Sequence, residues 1–106
     1  MFKFNRDVEA VQALPGIKRK TLNHSEQMML CEFHLDKGAL LPNHTHPHEQ
    51  MSYIVSGRFR YTVGDETREV GPGDTALVPS NVPHSVEVLE DTVAIDVFVP
   101  IREDYL

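Results

Sequence analysis

His44, His46 and His48 stand at alternate positions of one short stretch, and Gln50 follows at the same spacing. Half of the six histidines in the chain thus fall within five residues. Imidazole nitrogen and amide oxygen are neutral donors that suit a divalent transition ion, whether Ni, Zn, Mn, Fe or Cu, without choosing among them. In an extended segment residues two apart share a face, so this run can aim several donors at one point. A further histidine, His84, closes the segment "VPSNVPH", in which Pro79, Asn81 and Pro83 build a rigid turn ahead of a strand. Two clustered histidines joined by Gln50 and a donor from a distant strand would close around one ion. For the cluster alone, a solvated turn is the alternative.

The end of the chain offers a second kind of chemistry. In "TVAIDVFVP", Val93, Ile95, Val97 and Val99 form one apolar face of a strand, which leaves Ala94, Asp96 and Phe98 on the other. If that second face meets solvent, Asp96 is a surface carboxylate on a half-buried sheet. If it lines an interior, a carboxylate beside an aromatic ring is a candidate general acid or base, its proton affinity set by burial and nearby charge. Arg102 follows Pro100 and precedes Glu103 and Asp104, where a surface ion pair is the plain reading. At the mouth of a binding site, its planar guanidinium would instead hold a carboxylate at two points.

The elements that must position these groups are short strands separated by turn residues. Alternation predicts strands at 17–22, 27–35, 49–55, 58–63, 67–70, 75–79, 84–89 and 92–99, and only 7–14 reads as a short helical turn. Eight such strands in 106 residues make an all-β single domain, either two sheets face to face or a small closed barrel.

Composition removes several functional classes. A formal charge of −6 opposes binding modes that neutralise phosphates, so no nucleic acid is expected as a partner. No apolar run reaches the length of a membrane span, and charges interrupt the short apolar runs at the start of the chain, so neither a membrane nor a signal peptide is expected. Cys31, the single cysteine, sits in the strand-like "MMLCEF" and has no internal partner, which fits a reducing cytoplasm.

The spacing of the donors resembles the two motifs of the cupins. Gly38, His44, His46, Gln50 and Gly57 match the first motif over 38–57, with Gln50 where the family usually carries Glu. Gly73, Pro79, Asn81 and His84 match the second over 73–88, with Asn81 in a glycine position and Val88 in place of the terminal Asn. Asn tolerates the left-handed backbone that such a glycine serves. The resemblance implies a single-domain double-stranded β-helix, or jelly-roll barrel.

"HTHPHEQ", "NVPH" and "DVFVPIREDYL" are further similar to the small cupins of the pectin-degradation KdgF type. That likeness implies a metal held by His44, His46, His84 and Gln50, with Asp96, Phe98 and Arg102 around the substrate. It also implies the activity: ring opening of 4,5-unsaturated uronate monosaccharides, small sugar acids, to linear keto-uronates. Within this frame His48 reads as a residue that orients a ligand or forms pocket wall, and Tyr53, Met51 and Arg60 as pocket lining. A homodimer is expected, with Met28, Leu30 and Phe33 serving either such an interface or the core. A cupin dioxygenase, an isomerase of saturated sugars and a non-catalytic sugar- or metal-binding cupin remain as alternatives, because fold alone does not decide activity.

Overall fold

Apolar residues at every second position demand a sheet that buries one face, and the chain builds two such layers. The computed structural model describes residues 1–106 and contains eight strands: β1 Val11–Leu14, β2 Ile17–His24, β3 Met29–Leu35, β4 Leu40–His44, β5 Glu49–Val63, β6 Glu66–Val70, β7 Thr75–Val78 and β8 His84–Val99. Single turns of 3-10 helix lie at Asn5–Asp7 and Glu103–Tyr105. No helix is long and apolar enough to cross a membrane.

All pairings are antiparallel, and the two longest strands belong to both layers. The first part of β5, from Glu49 to Ile54, pairs with β7 on one side and with the end of β8 on the other. β8 then continues through β3 to β2 and β1. The second part of β5, from Arg58 to Val63, pairs with β6 and with the start of β8, whose free side takes β4. The layers join where β5 shifts register between Ile54 and Phe59. Gly57 sits in that bend with φ +86°, and a Cβ there would lie 2.2 Å from the Asp91 carbonyl oxygen, so only glycine fits.

Several predicted boundaries move. The strands expected at 49–55 and 58–63 are one bent strand, as are 84–89 and 92–99, because Ser56–Gly57 and Glu90–Asp91 bend the chain without reversing it. The helical turn expected at 7–14 is replaced by β1, since Val11 and Gln12 pair with Arg19 and Lys18 across the turn at Gly16 (φ +74°). β4 carries no strand signal in the sequence. Its Pro42 lacks an N–H, which is tolerated because the strand pairs on one side only.

The interior is filled from the alternate positions. In β8 the even-numbered residues His84, Val86, Val88, Thr92, Ala94, Asp96 and Phe98 are all buried. The face of Asp96 and Phe98 is therefore the inner one, and Val93, Ile95, Val97 and Val99 look outward. Phe59, Tyr61, Ile54, Val78 and Val86 form the larger core cluster, while Met29, Cys31 and Phe98 form a second one at the end near the tail. Phe33 packs against both clusters, so of the two roles expected for it, interface or core, it takes the core one. Met28 and Leu30 are exposed.

Candidate functional site

The barrel keeps a cavity of about 360 Å³, within the size range of small-ligand sites. His44, Gln50, His84, Asp96, Phe98 and Arg102 all contribute to its wall. The fold brings them together by register. His44, at the end of β4, lies opposite His84, the first residue of β8, and Gln50 on β5 lies opposite Phe98. Asn81 adopts φ +64° in the turn before His84, and its N–H donates to the His46 carbonyl at 2.9 Å, tying the two motif loops together.

One ring nitrogen from each of His44, His46 and His84 lies within 4.8 Å of the others. The tautomers follow from the backbone. Each Nδ1 faces a carbonyl oxygen: Pro42 at 2.9 Å for His44, His48 at 3.0 Å for His46 and Val82 at 2.9 Å for His84. A carbonyl only accepts, so each Nδ1 carries the proton and each neutral ring keeps its lone pair on Nε2. The Nε2 of His84 is buried without a partner.

The Nε2 of His46 lies 3.1 Å from Oε1 of Gln50. The Gln50 orientation is set from its other end, where Nε2 reaches Oδ2 of Asp96 at 3.0 Å, Tyr61 Oη at 3.2 Å and Ser52 Oγ at 3.3 Å. Two acceptors therefore face each other at His46 and Gln50. Either a proton or a cation must lie between them. Burial and the Arg102 charge push the His46 pKa down, and burial takes His84 to about 4, so extra protons are disfavoured. Three convergent lone pairs, an amide oxygen and an orphaned nitrogen fit a divalent transition ion.

Asp96 is the only carboxylate in the cavity wall. Burial raises its pKa from 3.8 to about 7, with the Ser52 hydroxyl and the Arg102 charge opposing. The guanidinium of Arg102 lies 5.2 Å from the Phe98 ring centre and 4.0 Å from that of Tyr105, and it pairs with Asp104 at 3.3 Å. Its side chain is only 13% exposed, and Nε is buried without a partner. Phe98 packs edge-on against His46 and Tyr105.

Three expected pocket residues sit elsewhere. Met51 and Tyr53 point outward, because Gln50, Ser52 and Ile54 take the inner positions of β5. Arg60 is outside because the bend shifts the inner positions of β5 to Phe59 and Tyr61 on either side of it, and it pairs with Glu87 at 2.8 Å. Of the two roles expected for His48, it does not take the cavity wall but the orienting one: its carbonyl accepts from His46 Nδ1 at 3.0 Å, and its ring lies tilted 5.5 Å from that of His46. Conversely, Ser52, Tyr61, Arg19 and Tyr105 line the cavity unforeseen. Strand parity would have found Ser52 from Gln50, but the β5 bend shifts the inner parity before Tyr61, and no local signal joins positions 19 and 105.

An antiparallel two-layered barrel with a histidine cluster on its inner wall is the mark of a cupin, and residues 31–99 match the family described as Cupin domain. The chain belongs to that family, and within it to the KdgF proteins. It is 38% identical over 93 residues to the pectin degradation protein KdgF of Dickeya dadantii (strain 3937), a match covering 86% of this chain and 84% of that one. The structure of KdgF from Halomonas sp. superposes with a TM-score of 0.94 at 34% identity, covering 100% of this chain and 98% of the other. An RmlC-like cupin from Shewanella frigidimarina NCIMB 400 gives a TM-score of 0.95 at 33% identity, with 99% and 95% covered.

Proposed function

We propose that this protein opens the ring of 4,5-unsaturated uronate monosaccharides, giving linear keto-uronates. The observation that carries the reading is the convergence of His44, His84, Gln50, Asp96 and Arg102 on one cavity in a KdgF-family chain. His44, His46, His84 and Gln50 would hold one divalent transition ion. Bound there by four neutral ligands, such an ion supplies Lewis-acid polarisation of a sugar oxygen.

The remaining work falls to the chain's own groups. Arg102 binds the substrate carboxylate, and the Phe98 ring shapes the wall beside it. Asp96 takes the proton from the anomeric hydroxyl; the bond from that carbon to the ring oxygen breaks, leaving an aldehyde and an enolate. As the enolate becomes a ketone, its double-bond electrons take the same proton from Asp96 at the adjacent carbon. Proton and electrons balance, so the reaction is an isomerisation needing no oxidant.

The test follows the ultraviolet band of the conjugated carboxylate in a monouronate freshly released by a lyase. Metal-loaded protein is expected to erase the band faster than chelator-treated protein. Loss at the spontaneous rate with both would overturn the reading and direct attention to oxygen consumption, the sign of a dioxygenase.

A further inference from the structure

Arg19 has no part in the chemistry above, yet its side chain lines the same cavity. Its position follows from register. Arg19 on β2 lies opposite Phe33 on β3, which lies opposite Ala94 on β8, so all three share the inner face one step from Asp96. The guanidinium forms none of the ion pairs in the molecule. What fixes it is a ring: its carbon centre lies 3.9 Å from the centre of Tyr105.

The same ring carries Arg102, whose carbon centre lies 4.0 Å away. The two guanidinium carbons are thus no more than 7.9 Å apart, the sum of the two distances. Both also line the cavity that holds Asp96, so two guanidiniums within that limit can donate to oxygens of one small anion in it, each through N–H···O contacts of about 2.8 Å. Tyr105 is itself pinned, because the Thr21 hydroxyl donates to its carbonyl at 2.7 Å and its ring packs on Phe33 and Phe98.

Charge points the same way. The chain has 16 acidic residues against 10 basic ones, but the cavity wall has Arg19 and Arg102 against Asp96 alone. A low-dielectric wall with spare cationic donors concentrates an anion.

We propose that Arg19 is a second carboxylate-binding group of this cavity, spaced from Arg102 by the Tyr105 ring, so that the site takes sugar acids and turns away neutral sugars of the same shape. The proposal rests on the sugar-acid reading above and extends it to a residue of β2. It makes Arg19 a specificity-determining residue and Tyr105 a positioning one.

The experiment titrates D-galacturonate and D-galactose calorimetrically into the metal-loaded protein and its variants. Wild type is expected to prefer galacturonate. Arg19→Gln is expected to weaken galacturonate roughly 10- to 100-fold, the range for hydrogen bonds to charged groups, while galactose is unchanged. Arg19→Lys restores part of the preference. Tyr105→Phe keeps the ring and the preference, and Tyr105→Ala loses it. In turnover, Arg19→Gln raises KM and leaves kcat within a few-fold. An unchanged galacturonate affinity in Arg19→Gln, or an equal loss for both sugars, overturns the role of Arg19 and leaves the ring-opening reading standing. Loss of preference in Tyr105→Phe overturns the role of the ring. Equal binding of the two sugars by wild type removes the sugar-acid reading itself.

Discussion

At the scale of single residues, chemistry and inertness are both set by burial. Asp96 is buried, accepts from Gln50 at 3.0 Å and is the sole carboxylate in the cavity wall. Asp96→Asn is expected to lower turnover by about 10³-fold, the typical worth of a positioned acid–base group, while metal content by elemental analysis stays at the wild-type level. Turnover within a few-fold of wild type would end its role as proton carrier. Cys31 shows the opposite use of burial, which lifts its thiol pKa from 9.0 to about 11. A raised acid pKa means the folded state favours the protonated thiol, so that part of the stability is present below pH 9 and fades as pH rises toward 11. Iodoacetamide is therefore expected to spare Cys31 in the native protein at pH 8 and to label it promptly in urea; rapid native labelling would contradict that burial. The convergence of His44, His46, His84 and Gln50 and the shared face of Asp96 and Phe98 were legible because spacing and parity are local. Met51, Tyr53 and Arg60 were misread because strand membership alone does not say which parity faces in; Gln50, once placed inside, decides it for Met51 and Tyr53, but the register shift at the bend reverses it before Arg60.

At the scale of elements, the site depends on two strands long enough to serve both layers. β5 carries Gln50 and Ser52 in one half and Tyr61 in the other, and β8 carries His84 at its start and Asp96 and Phe98 near its end. The Gly57 bend sets how those halves face each other. Gly57→Ala must take φ +86° and also clash with the Asp91 backbone, so a cost of about 3 kcal/mol is expected, read as a lower urea midpoint. Gly38→Ala serves as the control, because it shares a positive φ (+87°) but a Cβ there meets nothing within 4 Å, and about 1 kcal/mol is expected. Equal costs would mean that the close approach at Gly57 has no effect. Alternation made β2, β3, β5, β6, β7 and β8 legible but not β1 or β4, and the bends were read as breaks. Gly and Asp mark both, and only the partner strands show that the ladder resumes on the far side.

At the scale of the molecule, the outer surface of the layer formed by β3, β8, β5 and β7 remains to be explained. Across it Leu30, Val97, Met51 and Leu77 lie side by side by register, with Ile95 and Tyr53 in the next row. Leu30, Met51, Tyr53, Val55, Leu77 and Val99 are exposed there, each by more than a third of its surface. β8 requires this face to be apolar for no reason internal to the fold, since its even positions already fill the core. Such a continuous patch marks an interaction site. We propose a second copy of the chain as its occupant. A two-fold axis through the row would set like side chains against like with no charge at the centre, the condition an isologous interface requires. Sedimentation is then expected to give twice the 12.0 kDa of one chain, and Met51→Glu to give single chains with unchanged circular dichroism. A wild-type mass of 12.0 kDa at micromolar concentration would refute the pairing. Because the inner and outer faces of β8 alternate residue by residue, the same strand would place Asp96 in the site and Val97 in the interface. Loss of the second copy would then be expected to loosen β8 and lower turnover in the Met51→Glu protein, although Met51 touches nothing inside the barrel.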